Sequence, residues 1–401
     1  MNSLHPLGTL FGDPLPGAPE LSARGDTVTG VRTILLTEPG QPNVPLGLSG
    51  RHWSLYDREL RAEVWYPACP GPDAVPAVYT DHMGRADLGS LSPFAIPGRA
   101  FRDADPDLSA GPRPVIVISH GYPGSRFLLS NLAESLSSRG YVVVSIGHRD
   151  NTYEDFAPSG SLESALIHRS RDQRFVISAL GRLNEEGFLR GMLQPDNVGL
   201  IGFSMGGYGA LRTIGARFSR EALDQFASLA GELAEPEDFH GHPAVRAALL
   251  FAPAAFWLDE NRLEDLDIPT LWVCGTADNT VHYDRVRLFW QKAERSDRTL
   301  VSYACCGHNV ANNPAPQEGQ SASWEIYKRW ADPVWDTWKL NNANAHFAAA
   351  FFGEHLLRRP EMGRYLQEPG PAGPDGAVPD LPGFVPGGSA GIILRHLGKK
   401  T

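Results

Sequence analysis

Hydrophobic and polar positions along the chain change habit near residue 114. Before that point, Leu60, Ala62, Val64 and Tyr66 alternate with Arg61, Glu63 and Trp65. This period of two predicts a strand with one buried face. A strand-like run at Val31 to Leu36 precedes it, and residues 67 to 113, punctuated by Pro, Gly and Asp, read as a long excursion. From Pro114 onward, short apolar runs without alternation occur at Val115–Ile118, Tyr141–Ile146, Val198–Ile201, Ala247–Phe251, Leu271–Cys274 and Leu300–Tyr303. Helical patterns separate most of them. Leu128, Leu132 and Leu136 share one face before Gly140, and further helices are expected at about Ser161–Leu183, Met205–Arg217, His282–Glu294 and Asn342–Leu357. Strands buried on both faces and joined by crossover helices define an α/β protein. A mostly parallel central sheet is expected, with helices on both faces and the early strands as its antiparallel N-terminal edge.

Three segments follow from these changes: a Pro/Gly-rich extension with an edge strand over 1–54, a main domain over 55–366, and a Pro/Gly-rich tail over 367–401. The 401 residues include 42 Gly and 33 Pro, yet 42% are hydrophobic, which excludes general disorder. Lys and Arg number 36 against 46 Asp and Glu, a net charge of −10, and no dense basic stripe occurs. Nucleic acid is therefore not an expected partner. Met1 to Gly17 has no basic start and is broken by Pro6, Pro14 and Pro16, so it does not read as a secretory signal. The longest apolar stretch, Ala247 to Leu258, is interrupted by Pro253 and too short for a membrane span. Cys69, Cys274, Cys305 and Cys306 show no C-x-x-C spacing, so no disulfide framework is expected. A soluble, cytoplasmic protein is the resulting expectation. Its oligomeric state is open, as is the role of Trp324, Trp330, Trp335 and Trp338: core cover, cap or interface.

The sharpest chemical signal is Gly202-Phe203-Ser204-Met205-Gly206, set between a buried run and a helical pattern. A serine on a sharp strand-to-helix turn projects its hydroxyl from the strand end, and glycines two positions either way remove the collisions that the turn creates. A second match, Gly387-Gly388-Ser389-Ala390-Gly391, lacks a strong preceding strand and reads as a turn in the tail. A serine nucleophile needs a base, and the base needs an orienting carboxylate, both later in the chain. Asp278 follows the run Leu271–Cys274 and His308 follows Leu300–Tyr303, which makes them the expected acid and general base. Asp284 competes for the acid position. His240 and His242, in a loop with Glu235, Glu237 and Asp238, offer too few placed ligands for a metal and read as solvated. No cofactor is expected.

Acyl transfer also requires preorganised N–H donors for the carbonyl oxygen. One is expected from Met205, directly after the nucleophile. The other is expected from Tyr122 in the loop Ser119-His120-Gly121-Tyr122-Pro123-Gly124, since Pro123 has no N–H. His148-Arg149-Asp150 echoes a kinase catalytic loop, but Asp155 stands where that motif needs Asn, and no phosphate loop accompanies it. His148 and Asp150 are left either shaping the wall beside the site or anchoring a polar loop. Tyr153, Phe156 and Trp257 are candidates to line an apolar substrate pocket.

Taken together, His120-Gly121-Tyr122, Ile146-Gly147-His148-Arg149-Asp150 and Gly202-Phe203-Ser204-Met205-Gly206-Gly207 resemble α/β-hydrolases of the platelet-activating-factor acetylhydrolase and dienelactone-hydrolase-like group. Asp332-Pro333-Val334-Trp335-Asp336 and Asn344-Ala345-His346-Phe347 are similar to the C-terminal part of its bacterial members. The similarity covers about residues 55 to 366. It implies an α/β-hydrolase fold, cofactor-independent chemistry and a small carboxylic ester as substrate, with Ser204 and His308 as nucleophile and base and Tyr122 and Met205 as oxyanion donors. Two departures stand out. Dienelactone hydrolases use cysteine where this chain has Ser204. The animal acetylhydrolases carry their acid after the strand following the nucleophile, where this chain reads Leu250-Phe251-Ala252-Pro253, which favours Asp278. The expectation is a serine esterase working through an acyl-enzyme. Cleavage of amides, thioesters or lactones, and a non-catalytic binding protein on the same scaffold, are the alternatives.

Overall fold

The computed structural model of the chain describes residues 10, 12–48, 54–236, 238–370 and 379–400. The start of the expected extension, residues 49–53, Glu237 and residues 371–378 of the expected tail lie outside the described residues. Twelve strands form one sheet among the described residues. The N-terminal part comprises β1 (Thr29–Pro42), β2 (Leu55–Cys69), β3 (Pro76–Met83) and β4 (Ser92–Arg102), with the short β5 (Asp105–Pro106) paired on β2. The centre comprises β6 (Arg113–Ser119), β7 (Val142–Gly147), β8 (Leu193–Phe203), β9 (Val245–Phe251), β10 (Thr270–Gly275) and β11 (Arg298–Tyr303), all parallel. The spatial order is β12-β11-β10-β9-β8-β6-β7-β2-β1-β4-β3, where β12 is Ile392–Leu397. The helices in chain order are α1 (Val44–Leu48), α2 (Ser130–Ser137), α3 (Ser161–Glu185), α4 (Met205–Thr213), α5 (Arg220–Gln225), α6 (Ala230–Leu233), α7 (Tyr283–Lys292), α8 (Gln317–Gln320), α9 (Trp324–Tyr327) and α10 (Thr337–His355).

The unalternated runs become the parallel strands because both of their faces are covered. Val115, Val117, Val143, Leu200, Leu249 and Val273 are all buried, each stabilising the fold by about 1.5–3 kcal/mol. Parallel pairing also gathers six strand ends along one edge of the sheet, where the crevice of an open α/β fold lies. Helix α10 starts earlier than its apolar pattern because the Asp336 carboxylate accepts from the Trp338 and Lys339 amides. Helix α4 stops at Thr213, earlier than expected, with Gly215 held at φ 112° just beyond.

Three expectations need correction. The segment 67–113 is not an excursion, because β3 and β4 pair within it and extend the sheet. Side chains from these strands and from the loop after β6, namely Tyr79, Arg102 and Arg126, cover the second face of β2, so this strand is buried on both sides from Ala62 to Ala68. Glu63 there pairs with Arg102 and Arg126, and the Trp65 indole N–H donates to the Tyr79 hydroxyl at 2.8 Å. The third correction concerns the tail. Residues Ile392–Leu397 pair antiparallel with β11 along its length, so the far edge of the sheet comes from the Pro/Gly-rich segment. Ser389 sits in the turn before that strand, its hydroxyl donating to Asp380 at 2.7 Å and accepting from the Leu381 amide. Among the described residues no helix is long and apolar enough to cross a membrane.

Candidate active site

Ser204 joins β8 to α4 with φ 55° and ψ −114°, a strained backbone for a side chain with a Cβ. The surroundings hold it there. Its amide donates to the Phe251 carbonyl at 2.9 Å, and its own carbonyl accepts from the Ala254 and Tyr208 amides, each at 3.0 Å. The flanking glycines are required by contact: a Cβ on Gly206 would lie 2.0 Å from the Ser119 carbonyl oxygen, and one on Gly202 would lie 2.4 Å from that of Gly206.

The loops after β10 and β11 bring Asp278 and His308 to this serine. His308 Nε2 lies 2.9 Å from Ser204 Oγ, and His308 Nδ1 lies 2.8 Å from Asp278 Oδ2. The other carboxylate oxygen of Asp278 accepts from the Thr280 and Val281 amides at 2.8 and 3.0 Å. Burial pushes the Asp278 carboxyl up, but the bond to His308 and the two amides outweigh it and hold the pKa below the ordinary carboxylate range. Asp284, the competing acid, is exposed and faces Arg287 at 3.2 Å. The imidazole is thus bonded at both nitrogens, between a hydroxyl and an ionised carboxylate.

The loop after β6 lies beside Ser204 because β6 pairs directly with β8, Ser119 opposite Gly202. Gly121 and Tyr122 line the same cavity as Ser204 and His308. The Tyr122 amide makes no hydrogen bond to any described residue. The Met205 amide opens α4, so it has no acceptor within the helix. Both are free donors at the serine. The cavity measures about 500 Å³. Of the three aromatic candidates for its wall, Tyr153 lines it. Phe156 lies behind the wall, its ring 5.5 Å from that of Tyr122 and under the Arg85 guanidinium. Trp257 packs edge-on against Tyr208 and is not on the wall, because the loop after β9 turns it toward α4.

The outer wall comes from a segment that sequence reasoning left without a role. Trp324, Lys328 and Arg329 face the cavity, while Trp330 is buried in the core. This cover is tied to the His308 loop. Asn309 donates to the Lys328 and Ala331 carbonyls, Asn312 donates to that of Arg329, and Asp332 accepts from the Gly307 amide at 2.6 Å. Asn344 on α10 supports the same loop, donating to the Val310 carbonyl at 2.7 Å. Asp332 and Asn344 were visible only through the resemblance, with no spacing to mark their task.

His148 serves as an anchor. Its Nε2 lies 2.7 Å from Ser119 Oγ and its Nδ1 lies 2.8 Å from Asp172, which Arg58 holds with two further bonds. These four side chains are buried, so this second Ser–His–Asp series meets no substrate. Burial pushes His148 and His346 down to about 4 and His168 to about 3, and holds His120 well below the usual imidazole range. Between pH 6.5 and 4 the unfolded chain therefore binds protons that the folded chain refuses. Stability is expected to fall on acidification, by up to about 1.4 kcal/mol per pH unit for each such histidine. Urea midpoints at pH 7.5, 6 and 5 check this; midpoints independent of pH would contradict it.

Among the described residues one group has the ligands for a metal ion, Asp81, His82 and Glu154. Asp81 already accepts from Ser125 Oγ at 2.5 Å and faces Arg126 at 3.6 Å, so its charge is compensated. His240 is exposed and bonds Asp265 at 3.2 Å.

Comparison with known proteins agrees with this architecture. Residues 95–156, which carry β6, the Tyr122 loop and β7, match the family described as platelet-activating factor acetylhydrolase, isoform II. A Schizosaccharomyces pombe protein named "Putative phospholipase A2" is 33% identical over 93 residues, a match that covers 22% of this chain and about a fifth of that protein's length. A ferulic acid esterase from Streptomyces cinnamoneus superposes with a TM-score of 0.57 at 20% identity, covering 90% of this chain and 97% of the other. The chain has the α/β-hydrolase fold, and the strand–loop–strand unit beside its strained serine is similar to the platelet-activating-factor acetylhydrolases.

Proposed function

We propose that this protein is a serine esterase acting on small carboxylic esters, with Ser204, His308 and Asp278 as its catalytic triad. The observation that carries the reading is the hydrogen-bonded series Asp278–His308–Ser204, with bonds of 2.8 and 2.9 Å, ending at a strained serine on the cavity wall. Ser204 Oγ attacks the ester carbonyl carbon while His308 Nε2 takes its proton. Asp278 holds the imidazole through Nδ1–H and stabilises the imidazolium. The carbonyl oxygen gains the negative charge and lies against the Tyr122 and Met205 N–H groups. His308 returns the proton to the departing alcohol, and a water, activated by the same imidazole, releases the acid from Ser204. The names of the matched proteins support ester cleavage: an acetylhydrolase, a phospholipase A2 and a ferulic acid esterase.

The test is an aryl acetate assay combined with fluorophosphonate labelling and peptide mapping. A burst of phenol followed by steady turnover is expected, with the adduct on the peptide bearing Ser204. A folded protein that turns over no ester and takes up no label would sink the reading.

A further inference from the structure

Arg169 projects from α3 into the interior, fully buried, and ends directly behind the Tyr122 loop. Its Nη1 donates to the His120 carbonyl at 2.5 Å, its Nη2 to the Gly121 carbonyl at 2.9 Å, and its Nε to Asn151 Oδ1 at 3.0 Å. No carboxylate forms an ion pair with it among the described residues. Asp172, three residues along the helix, is occupied by Arg58 and His148. Burial pulls the Arg169 pKa down to about 9, so the guanidinium is still a cation at neutral pH. A buried cation bonded to main-chain carbonyls instead of a carboxylate costs desolvation energy, and its direction is informative.

We infer that Arg169 is a positioning residue for the oxyanion site, fixing and polarising the peptide group that supplies the Tyr122 N–H. The inference rests on the esterase reading above. In a trans peptide the C=O and N–H point in opposite directions. The Gly121 carbonyl is held inward by Arg169 and by His120 Nδ1, the latter at 2.7 Å. The Tyr122 N–H therefore points the other way, away from Arg169, and Gly121 and Tyr122 line the cavity that holds Ser204. His120 is locked in register, its Nε2 accepting from the His148 amide, so Nδ1 carries the proton. A cation on the carbonyl oxygen also draws electron density from the amide nitrogen, making its N–H a stronger donor. The donor is preorganised from behind, by a residue 47 positions later in the sequence.

Arg169→Met and Arg169→Lys test this with a matched ester and thionoester, since sulfur accepts hydrogen bonds from the oxyanion donors poorly. For Arg169→Met, kcat for the ester is expected to fall by about 10- to 100-fold, less than the loss of a donor itself. KM should stay within about threefold, and the preference for ester over thionoester should shrink by about tenfold. Arg169→Lys, which keeps the charge and most of the volume but cannot span both carbonyls, should fall between. It also carries the test if the methionine variant does not fold. A loss of kcat with unchanged ester-to-thionoester preference, or full activity in the lysine variant, would overturn the inference. Turnover surviving in Ser204→Ala would instead remove the esterase reading beneath it.

Discussion

Ser204→Ala is expected to lower kcat for a small aryl ester by about 10⁴- to 10⁶-fold, with KM little changed. In the proposed mechanism the hydroxyl oxygen bonds to the carbonyl carbon, and among the described residues the hydroxyl that His308 Nε2 meets is that of Ser204. His308→Ala should cost about as much, because a serine without its base is a poor nucleophile. The double variant should be no worse than either single one, since the two side chains act as a unit. Asp278→Asn should be less severe, near 10⁴-fold, because the imidazole keeps a partner but in the wrong tautomer. Steady-state kinetics at matched concentrations of folded protein separates these cases. Additive losses, or Ser204→Ala at more than a hundredth of native activity, would contradict the triad.

The second large effect is on stability. Arg58 is 1% exposed and makes two bonds to Asp172, one to Asp150, one to the Tyr56 hydroxyl and one to the Arg149 carbonyl. Arg58→Met leaves Asp172 buried without its cation, and the expected cost is about 3–5 kcal/mol. Asp172→Asn in the same background removes the stranded charge while still accepting from His148. The double variant should therefore be more stable than the sum of the single losses predicts. Urea unfolding gives all four values. A loss under about 1 kcal/mol for Arg58→Met would show that water reaches this network. Ser204 should still take up fluorophosphonate in the folded fraction, because Arg58, Asp172 and His148 do not line the cavity.

What could be read from the chain divides along physical lines. Runs such as Val115–Ile118 and Leu271–Cys274 are apolar on both faces, and their shortness and flanking Gly and Pro mark them as strands covered on both sides instead of buried helices. Ser204 was legible because its backbone conformation demands small neighbours at fixed distances, a requirement that leaves a mark in sequence. Asp278 and His308 were legible from order along the chain, since each follows a buried strand. The β3–β4 hairpin was not, because Pro93, Pro97 and Gly98 interrupt β4 with residues that ordinarily end strands. Glu63 misled in the other direction. It reads as the wet face of β2, yet it is buried because Arg102 and Arg126 neutralise it from distant elements. Arg169 left no trace for a related reason. It shares α3 with Arg171, Arg174 and Arg182, arginines in a long helix read as solvent-facing, and only the tertiary fold shows carbonyls in front of this one. Trp257 failed because an aromatic in a loop carries no label for the side on which it packs.

The strand at Ile392–Leu397 has a consequence for the order in which the molecule is completed. A ribosome delivers Ser204, Asp278 and His308 long before Ile392 emerges. Until then one side of β11 is a bare row of amides and carbonyls, immediately ahead of the turn that leads to His308. Such a row can recruit a strand from a neighbouring nascent chain. The Gly391 carbonyl, which accepts from the Ala304 amide at 2.8 Å, and the pairing of Ile392 with Tyr303 close that gap. The late-arriving segment is thus a guard against misassembly as well as a finishing piece.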